Sequence, residues 1–185
     1  MLPPGSSGMK PSAARIPFLR AWTWEFLQNL PLFLAFTFGL QSSAAGDLTG
    51  ALAAVAAGAI SCALLIRWTE RRIRPGPEEA PGVTLANIFI FGASSAAFVL
   101  YFSWNGGRPL FDAALGLAAG ASASLLQFWA AGEPVSARHT FSLGAAGAMA
   151  ILCIRFFVLD LPPFPAALIL NAPVTTLIVL IEYRS

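Results

Sequence analysis

Six apolar stretches, near residues 20–40, 48–67, 84–104, 109–130, 140–159 and 163–183, take up most of this 185-residue chain. Each approaches the roughly 20 residues that a helix needs to cross about 30 Å of hydrocarbon. Short turns, one loop and an N-terminal tail make up the rest, which leaves no length for a water-soluble domain. Charged residues are 11% of the chain, against about a quarter in an ordinary soluble domain. Lipid offers backbone groups no hydrogen-bond partner, so such segments satisfy themselves as helices. The sequence predicts an all-α, polytopic integral membrane protein, a compact bundle of about six transmembrane helices within 20–185. A flexible tail at 1–19, rich in Pro, Gly, Ser and Ala, precedes it.

The basic residues orient that bundle. With both termini in the cytoplasm, the inner side holds Lys10, Arg15, Arg20, Arg67, Arg71, Arg72, Arg74, Arg138 and Arg184, and the outer side only Arg108 and Arg155. Nine against two is a strong positive-inside bias, so these arginines read as topology determinants and not as a nucleic-acid surface. Trp22, Trp24, Trp68, Trp104 and Trp129 all fall at proposed membrane boundaries, where amphipathic rings settle. The expected location is the cell membrane, multi-pass, with both termini cytoplasmic. The first apolar stretch is too long for a signal-peptide core and is expected to be retained. The loop from Glu70 to Gly82 carries prolines and glycines and is expected not to be helical.

Two matching interruptions mark the interior. Asn29-Leu30-Pro31 lies in the first apolar stretch and Asn171-Ala172-Pro173 in the last. A proline inside a helix frees a carbonyl one turn earlier, and the asparagine adds a donor and an acceptor. At membrane depth these groups turn toward protein or a polar cavity. Glu25 sits one turn before Asn29 on the same face. Asn87, Gln127 and Thr175 fall at similar depth in the third, fourth and sixth stretches. Glu25, Asn29, Asn87, Gln127, Asn171 and Thr175 are therefore the candidate ligand-binding residues, lining a cavity biased to the cytoplasmic side.

Small residues suggest how the helices meet. Gly50, Ala54 and Gly58 share a face of the second helix, Gly116 and Gly120 a face of the fourth, and Gly144 and Gly147 lie in the fifth. Close backbone approach drives association in lipid, so these three helices are expected to be the inner or tightly paired ones. The bulkier first, third and sixth helices are expected to face lipid or a partner. Arg155 is expected to snorkel outward or to pair with an acidic residue such as Asp112.

Enzymatic chemistry finds little support. No nucleophile elbow, zinc-binding helix or phosphate-cradling glycine loop occurs. Cys62 and Cys153 stand alone and are expected to be buried and inert. His139, the one histidine, reads as a solvated residue of the 132–139 loop. No cofactor or metal is predicted. The expected function is a small transport protein, or the substrate-binding membrane subunit of a transporter, holding a neutral or weakly polar solute. The alternative is a non-catalytic accessory or assembly subunit of a larger membrane complex. The expected partners are the lipid bilayer, a small solute, and a second membrane subunit or another copy of the chain, with no nucleic acid.

Overall fold

Local signals set the helix boundaries in the computed structural model, which describes residues 17–73, 81–104, 108–158 and 160–182. Six α-helices follow one another: α1 Phe18–Ala44, α2 Leu48–Ile73, α3 Pro81–Trp104, α4 Pro109–Ala131, α5 Ala137–Cys153 and α6 Pro163–Glu182. A π-helical turn, Ile154–Val158, extends α5. Gly46, with φ +86°, makes the tight turn after α1. Asp47 then starts α2, its Oδ1 accepting from Gly50 N–H at 2.8 Å and its carbonyl from Ala51 N–H at 3.1 Å. Pro109 opens α4 at a position where no N–H is needed, and Gly132 closes it with φ +68°. Ser136 caps α5, its Oγ accepting from His139 N–H at 3.3 Å.

Among the described residues, five helical segments are long and apolar enough to cross a membrane: Leu48–Thr69, Val83–Phe102, Pro109–Ala131, Ala137–Phe157 and Pro163–Glu182. The chain is thus an all-α bundle whose long apolar helices suit a multi-pass membrane protein. α1 is the longest, at 27 residues, but Glu25, Gln28, Asn29 and Gln41 make it more polar. The segment expected to be non-helical is helical at both edges, because α2 runs to Ile73 and α3 begins at Pro81. A proline is tolerated in the first turn of a helix, so Pro81 starts α3 where it would have broken one further in. Residues 74–80 and the tail at 1–16 lie outside the described residues.

Each helix packs on the next, and α6 returns to α1, so the bundle closes into a ring with α1 also touching α3. Small residues hold α4 against α5. A Cβ at Gly116, Gly120 or Gly147 would come within 3.0 Å of backbone on the facing helix. Gly58 of α2 does the same for α1, where a Cβ would meet Ala35 and, at 3.0 Å, the Pro31 carbonyl oxygen.

The expected division into inner and outer helices needs correction. α6 buries Ala166, Ala167, Leu170, Asn171, Val174, Thr175, Ile178 and Val179, whereas α4 buries only Asp112, Gly116 and Ser124. A small-residue stripe gives a helix one tight seam, which is not the same as enclosure on all sides. α4 keeps that seam and turns Leu110, Leu117, Leu125 and Trp129 outward. The phenylalanines divide, with Phe36 in the core and Phe38 and Phe89 exposed.

The core is layered along the bundle. Phe36, Leu40, Ala51, Val55, Val99, Cys153, Ile154, Ala166 and Leu170 form an apolar half. The other half, where Arg20, Arg67 and Arg138 lie, combines a smaller apolar cluster of Ala146, Val174 and Ile178 with buried polar side chains such as Gln28, Thr69 and Asn87; it is called the basic end below.

Candidate functional site

At the basic end, polar side chains bond across the helices. Four of them form a chain. Gln127 of α4 donates from Nε2 to Asn87 Oδ1 of α3 at 2.8 Å. The Gln127 Oε1 atom faces His139 Nε2 of α5 at 3.4 Å. His139 Nδ1 lies 2.8 Å from Glu182 Oε1 of α6. Phe128 holds the imidazole edge-on, with ring centroids 5.5 Å apart. The side chains of His139 and Glu182 are 33% and 24% exposed, while Asn87 is 6% exposed. The chain therefore runs from partly exposed groups to one that is buried.

Glu25 approaches this chain from α1. It is half-buried and close enough to interact electrostatically with both Cys62 of α2 and His139 of α5. Around this chain, helix–helix bonds fix the frame. Trp22 Nε1 donates to Thr176 Oγ1 at 2.9 Å, and the Gln28 amide donates to Thr69 Oγ1, tying α1 to α2. The Arg138 Nε donates to the Ile181 carbonyl, which fixes the start of α5 against the end of α6.

The two Asn-x-Pro segments lie on the neighbouring helices α1 and α6, and their asparagines differ. Asn171 is fully buried, donates from Nδ2 to the Phe26 carbonyl at 2.8 Å, and accepts from Thr175 Oγ1 at 2.8 Å. That carbonyl is one residue before Leu27, the group that Pro31 leaves without its helical N–H. Asn171 and Thr175 thus fasten α6 to the Pro31 break. Asn29 is half-buried on α1. Of the six candidate residues, the structure joins Asn87 with Gln127 and Asn171 with Thr175, and places Glu25 beside the first pair through His139.

His139 corrects the reading of a solvated loop residue. Ser136 begins α5 earlier than hydropathy alone suggests, so His139 sits in its first turn and points between α4 and α6. The Ser136-x-x-His139 spacing, a cap followed by an N3 residue, was the available signal.

A second cluster marks the opposite end. Asp112, in the first turn of α4, is fully buried and accepts from Tyr101 OH of α3 at 2.6 Å. Its Oδ2 has no hydrogen-bond partner among the described residues. Arg108 and Arg155 both lie within electrostatic reach of Tyr101, and Arg155 comes from the π-helical turn. Cys62 and Cys153 are buried free thiols on separate helices. Among the described residues, no three His, Cys, Asp or Glu side chains gather in a group that could hold a metal ion.

Comparisons with protein families, with curated proteins and with solved structures find no match to this chain.

Proposed function

We propose that this chain is a small six-span membrane protein, with both termini in the cytoplasm, that binds a neutral or weakly polar small solute at the inner end of its bundle. It would act as a transporter or as the substrate-binding membrane subunit of one. The observation that carries this reading is the Asn87–Gln127–His139–Glu182 chain. Four helices each contribute one polar side chain, and the line leads inward from partly exposed groups to a buried amide. Packing alone would be served by bonds that close on themselves within two helices, as Asn171 and Thr175 do. The nine-to-two distribution of basic residues supports a cytoplasmic position for this end. In this reading α1, despite its polar residues, is the sixth span, supported by the bonds of Gln28 to α2, of Thr37 to α6 and of Gln41 to the Leu161 carbonyl in the turn before α6.

The accessory-subunit reading draws on those same bonds, since they show how many polar groups serve helix packing. Reconstituted proteoliposomes separate the two. Stopped-flow light scattering with glycerol, urea and acetamide as probes should show faster solute entry than in protein-free vesicles for at least one probe. Gln127→Leu should remove the excess while its melting curve stays close to that of the parent. Entry at the protein-free rate for all three probes would count against transport of this solute class and favour the accessory role.

A further inference from the structure

We propose that His139 and Glu182 together form a proton-binding site whose proton sets the direction of the Gln127–Asn87 amide chain. Counting donors and acceptors leads there. The Glu182 carboxylate only accepts, so the proton on His139 Nδ1 belongs to the 2.8 Å bond between them. The Gln127 nitrogen is engaged by Asn87 Oδ1 at 2.8 Å, which turns its oxygen toward His139 Nε2. An amide oxygen also only accepts, so a hydrogen bond across that 3.4 Å contact requires a proton on Nε2 as well. A ring that donates from both nitrogens is an imidazolium. A proton resting on Glu182 instead of Nδ1 leaves the same count and the same direction along the rest of the chain.

Loss of that proton reverses the chain. Nε2 then presents a lone pair to the Gln127 oxygen, and the repulsion is relieved when the Gln127 amide turns over and donates to the ring. Its oxygen now faces Asn87, which must turn over in its own right to donate. At the far end, in the buried part of α3, Asn87 exchanges an outward NH₂ for an outward carbonyl. The protonated site offers a donor, suited to the carbonyl or hydroxyl oxygen of a solute; the deprotonated site offers an acceptor, suited to an N–H group. This choice of solute group rests on the binding role proposed above, whereas the proton-driven reversal does not.

Among the described residues, these groups surround the ring. α6 supplies Glu182, and α4 supplies Gln127 and the edge of Phe128. α1 supplies Glu25 through its field. Arg138, beside His139 on α5, is bonded through Nε to the Ile181 carbonyl. Glu133, in the turn before α5, is exposed. With one third of its side chain open, His139 exchanges protons with water without opening the bundle.

The test uses the full chain in phospholipid nanodiscs with ¹⁵N-labelled His, Gln and Asn and no added solute. The Gln127 and Asn87 amide signals are assigned by their loss in Gln127→Leu and Asn87→Leu. Spectra are recorded from about pH 5 to about pH 9, which brackets imidazole titration. The His139 ring nitrogens and both amides should shift with a common midpoint, and the amide shifts should vanish in His139→Gln. A ring that titrates while the amides stay fixed would overturn the proposal, as would a ring that does not titrate across this range. If His139→Gln does not fold, the parent titration alone decides. Because no solute is present, a failure of the transport assay leaves this result intact, and the reverse also holds.

Discussion

Gly120 lies where α4 and α5 touch through their backbones, which makes Gly120→Ala a sharp test of the packing. A Cβ there would fall within 3.0 Å of both the carbonyl carbon and the oxygen of Leu143 and at 3.0 Å from Gly144 Cα. No rotamer change can relieve a clash with backbone, so the two helices must move apart along the seam that Gly116 and Gly147 share. Overpacking of a tight site costs about 1–3 kcal/mol, and a rigid backbone contact belongs in the upper part of that range. Alanine regains about 0.8–1.0 kcal/mol in helix preference over glycine. The net expectation is a destabilisation of about 1–2 kcal/mol. Gly92→Ala is the control, because its new Cβ would meet only Ala59 Cβ, at 3.6 Å, an ordinary contact. It keeps the helix preference without the clash and should be neutral or stabilising by up to about 1 kcal/mol. Cys62 and Cys153, 0% and 7% exposed, supply the assay: a thiol-reactive fluorogenic dye labels them as the protein unfolds in detergent on heating. Gly120→Ala should melt below the parent and Gly92→Ala at or above it. A Gly120→Ala protein that melts with or above the parent would refute the close-contact seam.

Other substitutions address the polar bonds. Tyr101→Phe removes the 2.6 Å bond to the buried Asp112 carboxylate and should cost about 1.5–3 kcal/mol by the same thermal assay; an unchanged melt would mean the bond contributes nothing net. Asn171→Leu breaks the 2.8 Å bond to the Phe26 carbonyl. It should cost roughly 0.6 kcal/mol, and up to about 1.7, while solute entry per folded molecule stays at the parent rate. A selective loss of entry with full stability would return Asn171 to the solute site.

Much of the bundle was legible because hydropathy reports helices directly. The six apolar stretches match α1 to α6 closely; α2 runs on past its stretch to Ile73, the α5 stretch ends in a π-helical turn, and Pro81 and the Ser136 cap start α3 and α5 earlier than composition suggests. Neighbour relations were harder to read. Trp22 bonds Thr176, and Asn171 bonds Phe26, across most of the chain. Nothing in one sequence records which helices close the ring, so the central place of α1 and α6 was hidden behind their bulky side chains. The small-residue faces correctly marked close approach at Gly58, Gly116, Gly120 and Gly147, but close approach on one side does not make a helix internal. Among the candidate site residues, depth placed Asn87 and Gln127 at a common level. They bond each other directly, and His139, in the first turn of α5 and not in a loop, carries the chain on to Glu182.

The most direct test of the six-span arrangement, with its polar chain on the cytoplasmic side, is labelling of single introduced cysteines in intact cells with a membrane-impermeant maleimide. Ala45 and Glu133 are exposed and lie at opposite ends of the bundle, and the two native thiols are buried. Ala45→Cys should label from outside, and Glu133→Cys only after the cells are permeabilised. Labelling of Glu133→Cys in intact cells with Ala45→Cys protected would invert the bundle and move the Asn87–Gln127–His139–Glu182 chain to the outer face. Labelling of both from one side would contradict the membrane-spanning arrangement itself.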